Sequence, residues 1–421
     1  MFSTCYLLFL CGIGPVSKVL AAAGSPGKPI KRRLVLSLVV SAALFGSSLS
    51  SEASPPIKGD ARASVRRAGG SLDMIRPAAI APRYTITRLD LPAGPATRWQ
   101  RTTAADLNEK GEVVGWATAP EIPGKIPTTA EFPHLATLWR QGKAINLGSF
   151  GGDFSEALGI NDQGLIVGYS YLSRRPNPDS SPYTKFAFLW QNGKMTRLRG
   201  LADDEEGSTA TSIDNHGRVV GKLARGKRAG GRAFLWQAGK VRFLPPGLPN
   251  DINAKGDLVG RASGYEGNAL LWRNGRSIPL PMPKGDGWIR GRANAINESG
   301  VIVGAAEKKT NFPQTVLQAL LWKNQTVTVL SAQRGSAADI NNRGAVVGYA
   351  EKPGSRYESY AFLYSKGHMI DLNTCLPPNS GWVLIAATAI NDKGQIAGNG
   401  LYQGNRRAFL LTPSQPQRAL H

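Results

Sequence analysis

The sequence predicts an all-β protein, a single β-propeller of seven four-stranded blades that is closed by an N-terminal strand. Two short motifs each recur seven times, and the first recurs at a spacing of 39 to 53 residues, which is typical of propeller blades. A strand-like segment precedes the first repeat, and the last repeat lacks room for its final strand. The 49 Gly and 28 Pro also fit a fold with many turns and few helices.

Residues 1–53 are expected to form a signal-peptide region. Lys31–Arg33 precede an apolar h-region over residues 34–46, and small residues lead to a cleavage position after Ala53. This apolar segment is too short to span a bilayer as a helix. We therefore expect an exported protein, secreted or periplasmic, whose mature chain begins near Ser54 and carries no transmembrane anchor.

The mature chain is expected to have three parts. Residues 54–83 are rich in Ala, Pro, Arg and Ser without a periodic pattern, which predicts a flexible basic leader. The propeller is predicted over residues 84–413, and residues 414–421 form a short tail. The single remaining cysteine, Cys375, excludes an internal disulfide and is expected to be a buried thiol.

The first motif reads Ile-Asn-x-x-Gly-x-Val-Val-Gly and predicts a hairpin between two strands. Asn can hydrogen-bond the backbone ahead of it, and Gly accepts the positive φ of such a turn. A ring of metal or sugar ligands is the alternative, but turn chemistry alone already requires these residue types. The Asn positions are Asn108, Asn161, Asp214, Asn253, Asn297, Asn341 and Asn391, and we expect Asp214 to do the same job as Asn. The first glycines are Gly111, Gly164, Gly217, Gly256, Gly300, Gly344 and Gly394.

The second motif, Ala-Phe-Leu-Trp, predicts a third strand in each blade. Apolar runs such as Phe186–Trp190 are typical of strands buried on both faces, and Asn192-Gly193 supplies a two-residue turn into a fourth strand. We name the four strands a to d in chain order. Strand a is rich in Ala and is therefore predicted at the central channel, which leaves strand d at the outer rim.

The two ends of the chain predict how the ring closes. After Leu411 the chain reads Thr-Pro-Ser-Gln-Pro, which leaves no room for a seventh strand d. Before the first repeat, Thr85–Leu89 closely matches the strand d segment Met195–Leu198. The N-terminal segment is therefore expected to complete the last blade and to remove exposed edges.

The two motifs together resemble the extracellular repeat proteins of the HAF type, a family named for a His-Ala-Phe motif. The resemblance covers residues 84–413 and implies export and repeats, but no reaction and no catalytic residue. One departure is plain, because the residue before Ala is never His. It is Leu135, Phe186, Arg232, Asn268, Gln318, Tyr360 or Arg407.

A search for chemistry finds no catalytic residue, cofactor motif or metal motif. The four His stand outside spacings such as His-Glu-x-x-His, and no Gly-x-Ser-x-Gly elbow is present. We therefore expect a non-enzymatic binding module, acting as a monomer at the cell envelope or outside the cell. The alternative is a secreted propeller hydrolase for polysaccharides or esters, which would gather two or more carboxylates in the channel.

The partner is expected to be anionic. The formal net charge is +22, and the extra length of the repeats lies in the b–c connections, which share one end of the ring. An acidic polysaccharide, lipopolysaccharide or an envelope protein is the expected partner, and nucleic acid is disfavoured by export. The residues predicted to form this rim are Arg174, Arg175, Tyr183, Lys352, Arg356 and Tyr357.

Overall fold

The structure is a computed structural model. It describes residues 84–93, 100–119, 133–172, 185–201, 207–223, 232–264, 267–310, 315–355 and 358–414. The predicted signal-peptide region (1–53), the leader (54–83) and residues 415–421 of the tail lie outside the described residues.

The described residues form strands throughout, with one short 3₁₀ helix. Blade 1 contains β2 (Thr102–Leu107), β3 (Val113–Thr118), β4 (His134–Arg140) and β5 (Lys143–Gly148). Blade 2 contains β6 (Gly151–Ile160), β7 (Ile166–Leu172), β8 (Lys185–Gln191) and β9 (Lys194–Arg197). Blade 3 contains β10 (Ser208–Ile213), β11 (Val219–Leu223), β12 (Ala233–Gln237) and β13 (Lys240–Phe243). Blade 4 contains β14 (Leu248–Ile252), β15 (Leu258–Arg261), β16 (Ala269–Arg273) and β17 (Arg276–Pro279).

The remaining strands form three further blades. Blade 5 contains β18 (Trp288–Ile296), β19 (Ile302–Lys309), β20 (Thr315–Lys323) and β21 (Thr326–Val329). Blade 6 contains β22 (Gly335–Ile340), β23 (Val346–Glu351), β24 (Ser359–Ser365) and β25 (His368–Asp371). Blade 7 contains β26 (Trp382–Ile390), β27 (Ile396–Tyr402), β28 (Asn405–Pro413) and β1 (Tyr84–Leu89). The 3₁₀ helix, Leu372–Cys375, follows blade 6 and buries Cys375.

Each blade is an antiparallel meander, and the predicted closure by the N-terminal strand is confirmed. β1 pairs with β28 over its whole length, from Tyr84 opposite Pro413 to Leu89 opposite Ala408. Blades 1 and 2 touch through one parallel bridge between His134 and Phe154, which joins their sheets. The meander places the a–b and c–d turns at one end of the ring, the turn end. It places the b–c and d–a connections at the other end, the b–c end.

The first strands of the seven blades form the inner ring, in agreement with the sequence prediction. Each strand a packs against the strand a of the next blade, and β2 packs against β26, which closes the circle. Small side chains allow this approach, and Ala104, Ala157 and Ala387 on these strands are almost fully buried. The d strands, in contrast, are short and largely exposed.

Seven hydrophobic clusters hold the ring together, one between each pair of neighbouring blades. The motif residues Val-Val alternate between two clusters, so that Val113 faces blade 7 and Val114 faces blade 2. The Trp of the second motif adds a polar contact. Trp322 Nε1 donates to the backbone carbonyl of Pro281 at 2.7 Å. Trp139 and Trp236 likewise donate to backbone carbonyls in the segments that link their blades to the preceding ones.

Candidate functional site

The Asn positions of the first motif form a hydrogen-bonded ring at the turn end. Each Oδ1 atom accepts backbone N–H groups of its own turn, for example those of Ser299 and Val301 at Asn297. Each Asn Nδ2 atom donates to the backbone carbonyl of the equivalent residue in the next blade, at 3.0 to 3.2 Å. The last of these bonds joins Asn391 to Asn108. The side chains are buried, so they stabilise the ring and leave no open coordination site.

Blade 3 departs from this pattern in a way that the sequence analysis did not foresee. Asp214 Oδ1 accepts the turn N–H groups as Asn does, but a carboxylate cannot donate to the next blade. Arg218 supplies the missing donor. It binds Asp214 Oδ2 at 2.5 Å and donates to the carbonyls of Asn253 and Ala254 at 3.2 and 2.7 Å. Asp214 therefore accepts the N–H groups of its turn as Asn does, but it does not donate to the next blade. The expectation that Asp214 does the same job as Asn is correct for the turn and wrong for the contact between blades.

Three carboxylates stand at the same position of the inner strands, two residues before the Asn position. They are Asp106, Asp251 and Asp339. Each lies beside a β-bulge of its strand and accepts an N–H from a neighbouring blade: Ile160 N to Asp106, Ile296 N to Asp251 and Ile390 N to Asp339, at 2.8 to 3.0 Å. The carboxylates required by the hydrolase alternative are thus present, and each is already bound to the backbone of the ring.

The environment of these carboxylates makes them weak acids. Burial raises the pKa of Asp106 to about 7, with smaller contributions from the charges of Asp339 and Asp251, although the N–H of Ile160 opposes the shift. Burial likewise raises the pKa of Asp339 to about 7 and raises that of Asp251. A group of this kind can donate a proton at neutral pH, which is the property that a general acid needs.

A fourth carboxylate, Glu156, belongs to a contact between blades 1 and 2. Glu156 on β6 receives a bond of 3.0 Å from His134 Nε2 on β4, and the His134 ring stacks against Trp116 at 4.5 Å between centroids. Burial would raise the pKa of Glu156, but hydrogen bonds from His134 and Tyr169 outweigh it and hold the pKa below its usual range. Glu156 is therefore charged at neutral pH and well paired.

Most of the predicted rim falls outside the described residues. This applies to Arg174, Arg175, Tyr183, Arg356 and Tyr357. Lys352 lies at the b–c end as an exposed residue, and its Nζ atom pairs with Glu358 Oε2 of the same connection at 3.2 Å.

The structure brings together a different set of cations at the b–c end, which we call the mouth cluster: Lys222, Arg261, Arg290 and Arg292. Lys222 and Arg261 each follow the second Gly of the first motif on strand b, in blades 3 and 4. Arg290 and Arg292 lie on the inner strand of blade 5. Burial and the neighbouring charge of Arg261 lower the pKa of Lys222. Burial and the charges of Arg292 and Arg290 lower that of Arg261.

Sequence reasoning missed the mouth cluster, although a signal was present. The residue after the second Gly varies among six residue types, with Tyr in two blades, while its surroundings repeat. The seven residues are Trp116, Tyr169, Lys222, Arg261, Ala305, Tyr349 and Asn399. Two neighbouring cations at this position, followed by Arg290 and Arg292 in the next blade, could have been recognised once the repeats were aligned.

Across the described ranges, no group of three or more His, Cys, Asp or Glu side chains is arranged to hold a metal ion. Within the same residues, no helix has the length and apolar character needed to cross a membrane.

The sheets and their closure define a β-propeller of seven blades. A family model described as "Protein of unknown function (DUF3466)" matches residues 152–412, which is more than half of the sequence, and the chain belongs to this family. The match does not show the HAF-type family that the motifs resemble. No curated protein matches the sequence.

Three solved structures with a similar fold are distant from this chain in sequence. The β-propeller domain of the Trilobed protease from Pyrococcus furiosus is 9% identical, with a TM-score of 0.49 over 76% of this chain and 97% of that chain. Acylaminoacyl peptidase from Pyrococcus horikoshii is 11% identical, with a TM-score of 0.46 over 76% of this chain and 53% of that chain. Trypanosoma rangeli sialidase is 11% identical, with a TM-score of 0.40 over 79% of this chain and 60% of that chain.

Proposed function

We propose that the protein is an exported, non-enzymatic binding module that meets its partner through the b–c end of the propeller. The observation that carries this proposal is the contrast between the two ends of the ring. At the turn end, nearly the same residue recurs in each blade and its polar atoms are used to join the blades. At the b–c end, the residue after the second Gly changes from blade to blade on a constant scaffold, as is usual for binding surfaces of repeat proteins.

Export supports the same proposal and has its own test. The charged, apolar and small-residue segments before Ala53 occur in the order of a cleaved signal peptide, and the HAF-type resemblance of the motifs points outside the cell. We propose a secreted or periplasmic location and a mature chain that starts near Ser54. N-terminal sequencing of the protein recovered from the medium or periplasm should give that start. A chain that retains Met1 would contradict export by this route.

The proposed partners are acidic polysaccharide, lipopolysaccharide or an envelope protein, and the binding end can be tested directly. Lys352→Cys lies at the b–c end and Lys393→Cys lies in a turn at the opposite end, and both positions are exposed. Cys375 is buried, at 4% exposure, and should not react with a bulky maleimide label. We expect the label at position 352 to reduce retention on immobilised acidic envelope polymers, and the label at position 393 to leave it unchanged. Equal effects of the two labels, or no retention of the unlabelled protein, would contradict the proposal.

A secreted propeller hydrolase is the second candidate, and the three channel carboxylates favour it. Asp106 and Asp339 have the raised pKa of a general acid, but both oxygens of each already accept backbone N–H groups. The test is product release from the same polymers and from ester substrates by the unmodified protein and by Asp106→Asn. Turnover that Asp106→Asn abolishes would establish the hydrolase, whereas retention without product supports the binding module.

A further inference from the structure

The mouth cluster contains more positive charge than its surroundings neutralise. Arg290 Nη2 pairs with Glu307 Oε2 at 2.7 Å, and Arg292 Nη2 lies 3.4 Å from the hydroxyl of Ser336. Within the described part of the chain, no carboxylate forms an ion pair with Lys222 or Arg261. Among the four cations of the mouth cluster, Arg290 is therefore the one with a carboxylate partner in the described residues. Lys222 and Arg261 are half-buried, and Arg292 is exposed beside them.

Holding these cations close together raises the free energy of the folded protein unless an anion binds between them. Partial burial removes water from Lys222 and Arg261, and like charges on neighbouring blades raise the energy further. Both side chains accordingly have a lowered pKa, caused first by burial and then by the cations beside them. An anion placed between the side chains would relieve the repulsion and would be bound in a region of reduced dielectric, where charge–charge attraction is stronger than in water.

An aromatic residue adjoins the cluster on the next blade. Ser336, which lies beside Arg292, pairs across β22 and β23 with Tyr349, and Tyr349 is the residue after the second Gly in blade 6. Cations next to a half-exposed ring suit a ligand that combines negative charge with flat apolar faces. Sugar rings that carry carboxylates have both properties.

We propose that the mouth cluster is a binding site for the carboxylate groups of an acidic oligosaccharide, with Lys222, Arg261 and Arg292 meeting the charges and Tyr349 contacting a sugar face. The proposal rests on the function proposed above and names the ligand class and the residues of its binding end. The site lies on the second strands of blades 3, 4 and 6 and on the inner strand of blade 5, away from the predicted outer rim.

The experiment measures binding of tetragalacturonic acid to the mature protein by calorimetry, with its methyl ester as the neutral counterpart. We expect the acid to bind at least about tenfold more tightly than the ester, since the two share their rings and differ in charge. Binding of the acid should weaken as the salt concentration rises, because the Debye length falls to about 3 Å near 1 M. Equal affinity for acid and ester, or no binding of the acid, would overturn the proposal.

Two triple variants locate the site. Lys222→Gln, Arg261→Gln and Arg292→Gln together should weaken binding of the acid at least about tenfold. The matched control, Lys194→Gln, Lys240→Gln and Arg276→Gln, removes the same charge from exposed positions on outer strands and should change the affinity less than about twofold. The melting temperature of the mouth variant should stay equal or rise, because repulsion between the cations is removed. A lower melting temperature would instead indicate a folding defect. Similar losses in both variants would overturn the site and indicate binding through net charge.

Two further results separate this inference from the proposed function. If the mouth variant still binds acidic envelope polymers as well as the unmodified protein does, the binding module stands and the assigned site is wrong. If inorganic phosphate competes with the acid as well as a monomeric uronate does, the site recognises any anion, and the assignment to carboxylated sugar is wrong. Tyr349→Ala should lower the affinity for the acid, and an unchanged affinity would remove the ring from the site.

Discussion

Asp106, Asp251 and Asp339 show how a half-buried carboxylate can accept hydrogen bonds from the backbone of a neighbouring blade. Each lies on an inner strand and accepts an N–H group from a strand of a neighbouring blade. The strands that carry these N–H groups each have a β-bulge shortly before them, where the ladder of hydrogen bonds is interrupted. The carboxylate of the neighbouring blade supplies an acceptor for each group. When these carboxylates are charged, their mutual repulsion lowers the stability of the folded protein.

The raised pKa values of Asp106 and Asp339 predict that the protein becomes less stable as the pH rises. The pKa of Asp106 and Asp339 is about 7 in the folded protein against 3.8 for an ordinary Asp, so the folded state binds more protons between these values. The free energy of unfolding should fall as the pH rises from about 4 to about 7, and these groups should add no further change above that window. Thermal melting at pH 5 and pH 8 measures the difference.

The matched variants for this prediction are Asp106→Asn and Asp339→Asn, which resemble the protonated acid. They should flatten the dependence on pH, whereas the exposed control Asp286→Asn should leave it unchanged. A melting temperature that rises from pH 5 to pH 8 in the unmodified protein would show that other groups dominate.

The two glycines of the first motif are needed for different reasons. Gly344 has a φ of +79°, and a Cβ atom there would meet nothing within 4 Å. Gly348 has no unusual φ, but its Cβ would collide with the carbonyl oxygen of Ser336 and the ring of Phe362. We expect Gly344→Ala to cost about 1–2 kcal/mol through backbone strain alone. Gly348→Ala should cost more, and chemical denaturation measures both; equal costs would contradict the distinction.

At the scale of the element, the a–b turn is also the joint between blades. The Asn side chain closes its own turn with Oδ1 and binds the next blade with Nδ2, so one residue type serves both purposes. Blade 3 divides the two tasks between Asp214 and Arg218. This pair shows that the donor to the next blade, and not the amide itself, is required.

Building the Asp–Arg pair of blade 3 into blade 5 tests whether an arginine can replace the amide as donor to the next blade. Asn297→Asp should cost about 1–3 kcal/mol, because it removes the donor to Asn341 and leaves a carboxylate oxygen facing a carbonyl. Val301 occupies the position equivalent to Arg218, and the cavity of about 210 Å³ bounded by Asn297, Val301 and Gly344 has room for a longer side chain. Adding Val301→Arg should therefore recover much of the loss.

Denaturation of the two single variants and the double variant measures the coupling. The control is Asp214→Asn combined with Arg218→Val, which gives blade 3 the residues of blade 5 and should be close to neutral. Independent, additive effects of Asn297→Asp and Val301→Arg would show that Arg218 does not replace the amide donor.

The motifs predicted most of the strands because turn chemistry and apolar runs are local properties. Asn192-Gly193 can be assigned to a tight turn from two residues, and Phe186–Trp190 to a buried strand from five. The Asn ring and the three Asp bridges could not be predicted in the same way, since they join residues 44 to 54 positions apart that meet when neighbouring blades pack. The bond that closes the Asn ring joins residues 283 positions apart. The mouth cluster required comparison of one position across all blades.

At the scale of the whole molecule, closure links both ends of the chain. β1 lies against β28, blade 1 packs on blade 7, and Asn391 binds Asn108. Pairing with β1 covers the edge of β28 and gives the last blade its fourth strand, and the closed ring fixes the distances between blades, which the proposed binding end requires. The channel carboxylates, the Asn ring and the mouth cluster all depend on this geometry.

The direct test of the account is the role of β1 in closing the ring. Deleting residues 84–91 removes the strand that pairs with β28 and should lower the melting temperature by about 10 °C or more, because an edge strand and part of a hydrophobic cluster are lost. Deleting residues 54–82 removes a longer stretch of chain that precedes β1, and should change the melting temperature by less than about 2 °C. Calorimetry of the mature protein and both deletions gives the answer. Equal effects of the two deletions would contradict a propeller closed by its N-terminal strand.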